Sequence, residues 1–375
     1  MRYTYARLVD ALGTAAQGNA AELAAALRGC DAQIVFKHAA RHKVAPMLLA
    51  ALAEHRVHEG ALQPLRALLQ QYAGHALAGA APLEAQIEAV ASLFEKAQIA
   101  HVFLKTAGRL YAGDARARWT PVADIDVLVS RADAERAAAV LLQNGYGCST
   151  DEATAQGYKA NHHHLAPFDA PGGGKTLELH VGLALPGTFR IASDFDTLAP
   201  YFERPRAERP YSFVLNGAGR AIHAMIHGVG LYRLSDAVLI AAELRAQPDL
   251  LRDLAALART DPLQRIGMLA VLYLAARIAG QPAVLDRDAQ RYAEWTIWRE
   301  DLAERYRTRA QLVDAWFAGG GRFVRPALAN ALPPQRAYNG EPTPLFARSK
   351  AIAGLVLAGF VAGSRYGMYG YAARR

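Results

Sequence analysis

Apolar positions recur at helical spacing through roughly the first eighty residues. Leu8 and Leu12, then Leu23 and Leu27, stand four apart, and Ile34, His38, Arg41 and Ala45 continue the pattern. From Pro82, the set Leu83, Ile87, Val90, Leu93 and Phe94 keeps i, i+3, i+4 spacing and predicts a longer helix. The period then changes. In Asp124-Ile125-Asp126-Val127-Leu128-Val129, β-branched residues alternate with others, which predicts a strand. Lys175 to Val181 alternates again, with Leu177, Leu179 and Val181 on one face and Thr176, Glu178 and His180 on the other. Asp133 to Asn144 reads as a helix with Val140, Leu141 and Leu142 inward and Gly145 as its stop. Pro171-Gly172-Gly173-Gly174 reads as a hairpin-like loop, and Pro186-Gly187 closes the strand after it. Residues 215–315 return to a helical pattern, and 326–344 are Pro-rich.

These elements predict an α+β chain: a small mixed-sheet core flanked by N-terminal and C-terminal helical regions. The expected divisions are 1–82 helical, 83–205 the α/β core, 206–320 helical, and 321–375 a Pro-rich loop with a basic and apolar tail.

The strand pattern places chemistry on one face. Side chains two apart on a strand point the same way, so Asp124 and Asp126 leave together. Two carboxylates that close repel unless a cation or proton lies between them, so removing one charge is expected to relieve the metal-free fold. Paired hard oxygens suit Mg²⁺ or Mn²⁺; the plain alternative is a solvent-facing pair at a strand edge. Glu178 on a neighbouring strand would bring a third carboxylate, the minimum for a two-metal phosphoryl-transfer centre. Ile99 to Tyr111 reads as a short strand ending at Lys105, a small-residue turn and a helix start, where amides and a lysine favour phosphate. Arg116 and Arg118 lie between that turn and the aspartates. His162, His163 and His164 stand together, but adjacent side chains on a strand diverge and no partner spacing accompanies them, so zinc is not expected there. His164 is expected to turn toward the site, and His180 either supports a metal ligand or caps the core. His223 and His227 share a helix face without the glutamate of a zinc-protease motif.

In order, Phe103-Leu104-Lys105, Leu110-Tyr111, Arg118, Asp124-Ile125-Asp126, Gly145-Tyr146 and Leu177-Glu178-Leu179-His180 resemble the uncharacterised bacterial nucleotidyltransferase family of the polymerase-beta-like superfamily. The segment 31–52, the stretch His162 to Pro167, and His223, His227 and Asp236 are similar to its other parts, so that the likeness covers roughly residues 20–245. The family usually has Gly directly after the lysine; this chain has Thr106, with Gly108 two positions on. The resemblance implies an enzyme that moves a nucleoside monophosphate from an NTP to an acceptor hydroxyl with release of pyrophosphate. Asp124, Asp126 and Glu178 would be its catalytic and metal residues, Mg²⁺ or Mn²⁺ its ion. Lys105, Thr106, Gly108, Arg118 and His164 would bind the nucleotide, and Asp236 would reach the cleft. RNA, a protein or a small molecule would be the acceptor.

Composition changes the picture little. The two cysteines, Cys30 and Cys148, are too few for a disulfide framework. Met1 to Asp10 has no apolar core of a leader, so a cytoplasmic protein is expected. The net charge of +8 lies almost wholly after residue 300, where 11 basic residues face 4 acidic ones. There Arg348, Lys350 and Arg365 flank an apolar run, 351–363, that is short of the roughly 20 residues of a membrane span. No transmembrane span is expected, and the tail either packs as a terminal helix or touches an anionic surface. Two other classes remain open: a catalytically degenerate scaffold or membrane-associated protein, and a nucleotide-sugar glycosyltransferase that uses Asp-x-Asp with Mn²⁺.

Overall fold

The computed structural model describes residues 4–297 apart from 17, 58–59, 185–188, 190, 192, 230–232, 263, 282–285 and 295–296. The expected Pro186-Gly187 stop, the Pro-rich stretch and the basic tail lie outside the described residues. The chain divides into two compact units. Among the described residues, one gathers those up to Gln70 and those from Gly228, and the other is Gln71–His227.

The first unit is helical. It contains α1 (Thr4–Ala16), α2 (Ala20–Leu27), α3 (Ala32–Arg41) and α4 (Ala45–Glu54). Asn19 and Asp31 cap α2 and α3 by accepting hydrogen bonds from first-turn amides, a contact worth about 1 kcal/mol each. The division falls within α5 (Gln63–Ala78), and α6 (Ala80–Lys96) belongs to the second unit, where it packs on the sheet.

The second unit continues with β1 (His101–Phe103), α7 (Lys105–Tyr111), β2 (Asp124–Val129), α8 (Ala134–Gln143), β3 (Gly147–Cys148), α9 (Glu152–Asn161), β4 (Phe168–Asp169) and β5 (Thr176–His180). After α10 (Phe195–Leu198) come β6 (Phe202–Glu203), β7 (Ser212–Leu215) and α11 (Gly217–His227). The first unit resumes with α12 (Leu234–Ala246), α13 (Leu250–Arg259) and α14 (Arg265–Ala279). There α1 packs on α14, and Asp10 pairs with Arg277 at 2.5 Å.

The fold is α+β. Its seven-stranded mixed sheet has the order β3-β4-β5-β2-β1-β7-β6. β2 runs parallel to β5 and antiparallel to β1, and β1 runs parallel to β7. Ile125, Val127, Val129, Leu177 and Leu179 form one face and join Leu83, Ile87 and Phe94 of α6 and Leu141 of α8 in a single core. Each such buried aliphatic side chain contributes about 1.5–3 kcal/mol. That burial fixes the register, because a one-residue slip would send all five into the polar face.

Three details differ from the sequence pattern. Leu142 is 51% exposed: Val140, Leu141 and Leu142 span more than half a helical turn, and the buried face is that of Ala134, Ala137 and Leu141. The sheet also continues beyond residue 205, because the four-residue run Ser212–Leu215 pairs along β1. It is too short to show a period. Finally, α7 starts at Lys105 itself, directly after Leu104, with no separate small-residue turn.

Candidate functional site

Register builds the site. In the parallel β2–β5 pair, Asp126 is opposite Glu178, Asp124 opposite Thr176 and Leu128 opposite His180. Opposed residues on neighbouring strands share a face, so Asp124, Asp126, Glu178 and His180 all lie on the side away from the core. The β4–β5 hairpin carries the expected glycine loop, with Gly172 and Gly173 both at positive φ. Gln86 of α6 fixes the loop's end: its side-chain amide donates to the Lys175 carbonyl at 2.7 Å and accepts from the Lys175 amide at 2.8 Å. A Cβ at Gly174 would stand 2.7 Å from that Gln86 oxygen, so glycine permits the approach.

Asp126 is the centre. It is 2% exposed, accepts from Lys105 Nζ at 2.7 Å and lies 2.9 Å from His180 Nε2. The ring of His180 also stands 3.5 Å from Glu178 Oε2. The cation needed beside the paired aspartates is thus supplied by the chain. Burial pushes the Asp126 carboxyl up, but Lys105 and His180 more than offset it and hold it well below the usual range. Burial likewise opposes the charge on Lys105, yet Asp126, Asp124 and Glu178 raise its pKa. His180 is raised too, because hydrogen bonds to Asp126 and Glu178 outweigh its burial. Glu178 is lowered, with His180 and His164 outweighing burial.

Lys105 reaches Asp126 from an uncommon backbone conformation, φ 49°. A non-glycine residue in the left-handed region costs about 1 kcal/mol or more. The Leu104 amide donates to the Asp126 carbonyl at 3.0 Å, so main chain and side chain together hold the lysine on the aspartate. Thr106 follows in the first turn of α7, whose N-cap Leu104 has no side-chain acceptor to offer.

The other expected site residues fall elsewhere. Gly108 is buried, and its amide donates to the Leu104 carbonyl at 3.0 Å. A Cβ there would overlap the Phe103 carbonyl oxygen. Glycine at 108 thus lets α7 lie against β1. Arg118 is bonded through two nitrogens to Glu84, at 2.6 and 3.0 Å. Asp236 is buried in the first turn of α12, in the other unit.

The histidines are the main surprise. His162, His163 and His164 do not diverge: their ring centroids are 3.9–4.9 Å apart. The alternation of a strand does not apply, since His162 caps the end of α9 and His164 makes only a single bridge, to His180. His164 is turned toward the site, with Nε2 3.9 Å from Glu178 Oε2. Burial lowers all three pKa values, that of His162 to about 3, so the rings are neutral near pH 7. His223 on α11 is also buried, and burial with the nearby charge of Lys105 keeps it neutral. Helical spacing gave no hint that it faces this charge cluster.

Among the described residues, two groups have ligand atoms within 4.8 Å of one another: Asp126, Glu178 and His180, and His162, His163 and His164. The first has two hard oxygens and an imidazole around a point already held by an ammonium group. That donor set fits a divalent cation. Its third member is His180, two residues after Glu178 on the same face.

An acidic row on a mixed sheet, with Asp126 buried and Asp124 and Glu178 partly exposed, faced by a lysine from a strand–helix junction, is chemistry suited to phosphoryl transfer. In keeping with it, a family model described as uncharacterised nucleotidyltransferase matches residues 29–280. The chain belongs to that nucleotidyltransferase family, and the match ends at the close of α14 and so includes helices of both units. No curated protein and no solved structure matches the chain. None of the described helices is long and apolar enough to cross a membrane.

Proposed function

We propose that the chain is a metal-dependent nucleotidyltransferase that moves a nucleoside monophosphate from an NTP to an acceptor hydroxyl. One observation carries this reading: the β2–β5 register sets Asp126 beside Glu178, with Asp124 on the same face. Asp124, Asp126 and Glu178 would hold Mg²⁺ or Mn²⁺. The bound ion supplies charge neutralisation at the phosphates and eases loss of the acceptor proton.

The chain's own groups do the rest. Lys105 and the open first turn of α7, with Thr106, draw the triphosphate by charge and by amide donation. Glu178 takes the proton of the acceptor hydroxyl, and His180 keeps the Glu178 carboxylate oriented through its 3.5 Å contact. The acceptor oxygen bonds to the α-phosphorus as the α–β bridging bond breaks, and pyrophosphate leaves. No covalent enzyme intermediate is involved. The test is incubation of the protein with each α-labelled NTP, Mg²⁺ or Mn²⁺, and RNA, protein and small-molecule fractions of a cell extract. Label carried onto an acceptor by wild type but not by Glu178→Gln supports the proposal. Equal labelling by both proteins, or none by either, overturns it.

A further inference from the structure

The carboxylate row does not use the second cluster. His162, His163 and His164 bring three imidazoles together with no carboxylate among their ligand atoms. His164 Nδ1 lies 2.6 Å from the Leu165 carbonyl. A carbonyl only accepts, so this nitrogen carries the proton and Nε2 keeps its lone pair. An imidazole that donates its outer N–H to a backbone carbonyl while its inner nitrogen stays bare is the arrangement seen in metal-bound histidines. His163 Nδ1 is shielded from solvent and meets no hydrogen-bond partner among the described residues. Leaving such an atom unmatched is destabilising, and a ligand on that nitrogen would recover the loss. His162 Nδ1 lies 3.4 Å from the His164 amide, which donates to it.

We propose that His162, His163 and His164 form a nitrogen-donor site for a borderline divalent transition ion, with Zn²⁺ the best fit. Hard ions are excluded by the donor set: Mg²⁺ demands oxygen ligands, whereas three imidazoles suit zinc and leave its fourth tetrahedral position open. The histidine cluster adjoins the transferase carboxylates, since His164 Nε2 is 3.9 Å from Glu178 Oε2. The chain thus keeps two cations apart by ligand chemistry, a hard one on Asp126 and Glu178 and a borderline one on the histidines. The main chain also ties the end of α9 to β5 through the His164–His180 bridge, so the ion would stiffen the wall beside Glu178.

The experiment uses the full chain, stripped of metal and held in excess Mg²⁺ so that the carboxylates are occupied. Zn²⁺ is titrated by competition against a chromophoric chelator, and Co²⁺ is added separately as a spectroscopic probe. Wild type is expected to bind zinc and to give the intense visible absorption of four-coordinate cobalt with nitrogen ligands. His163→Ala should lose about a hundredfold or more in zinc affinity, while Asp126→Asn should bind zinc as wild type does. Zinc should raise the melting temperature of wild type and leave that of His163→Ala where it was. Zinc binding that survives in His163→Ala overturns the proposal. So does binding lost equally in Asp126→Asn, or a weak cobalt spectrum of six oxygen ligands on the wild-type chain. Nucleotide transfer is not the readout, so failure of the transferase reading would leave this site standing, and the reverse also holds.

Discussion

Asp126→Asn tests the electrostatics of the site directly. Two aspartates on one strand face suggest repulsion, so that loss of a charge would stabilise the metal-free protein. The structure argues the opposite. Asp126 is bonded to Lys105 at 2.7 Å and lies 2.9 Å from a His180 ring whose pKa is raised. Removing one member of a buried ion pair costs about 3–5 kcal/mol. The asparagine oxygen still accepts one bond, and the Lys105 side chain, 30% exposed, can turn toward water. Both reduce the loss to about 2–4 kcal/mol. At about 2–4 °C per kcal/mol for a cooperative unit of this size, the apparent melting temperature should fall by about 5–15 °C. The pH course follows from the sign of the shift. The Asp126 carboxyl is lowered in the folded state, so its contribution is present above the unfolded value near 4 and is lost as pH falls below it. The difference between wild type and variant should be full above about pH 5 and shrink in acid. Scanning calorimetry of both proteins in chelator, from pH 3 to pH 8, provides the measurement. A variant that melts at or above wild type at pH 7 refutes the reasoning.

Glu178→Gln should cut transfer by about a hundredfold to ten-thousandfold while nucleotide affinity, followed by calorimetric titration, stays near wild type. Equal loss of both would make Glu178 a binding residue. Gly108→Ala should destabilise by about 1–3 kcal/mol in urea melts, since its Cβ overlaps the Phe103 carbonyl oxygen; an unchanged midpoint would mean α7 does not lie as close to β1. Arg118→Ala should leave the KM for NTP within about twofold and the melting temperature nearly unchanged, because its guanidinium is already taken by Glu84 on the surface; a large rise in KM would return it to the nucleotide.

The carboxylates were legible because a strand has an integral period. Spacing put Asp124 and Asp126 on one face of their strand and Glu178 on the polar face of its own, opposite Ile125, Val127, Leu177 and Leu179; that the two strands are neighbours, with Asp126 beside Glu178, came from their pairing. The family likeness supplied the order of the motifs, not their contacts. What spacing could not show was anything set by irregular backbone or by distant pairing. His162 to His164 converge because the chain leaves α9 and pairs with β5 through an isolated bridge, His164 to His180, a path with no period. His223 reaches the charge cluster from a helix that begins after β7, a strand of four residues. Lys105 was placed correctly at a strand–helix junction, but its ion pair with a residue 21 positions on depends on a left-handed φ that no side-chain pattern reveals.

That ion pair has a thermodynamic consequence. The Asp126 oxygen is already paired with the Lys105 ammonium, so on the proposed function a divalent ion would bind by exchange instead of filling a bare charge. The displaced lysine would then be free to meet the triphosphate. Metal and nucleotide would each remove a cost borne by the other, and linkage would make the effect mutual: whatever factor the metal adds to nucleotide affinity, the nucleotide adds to metal affinity. Replacing Lys105 with alanine should break the coupling in a telling way. Metal should bind more tightly in the absence of nucleotide, nucleotide more weakly in the presence of metal, and the two affinities measured by calorimetry should cease to depend on each other beyond the direct phosphate–metal contact. Coupling of wild-type size in that variant would show that the lysine is no more than a bystander to the exchange.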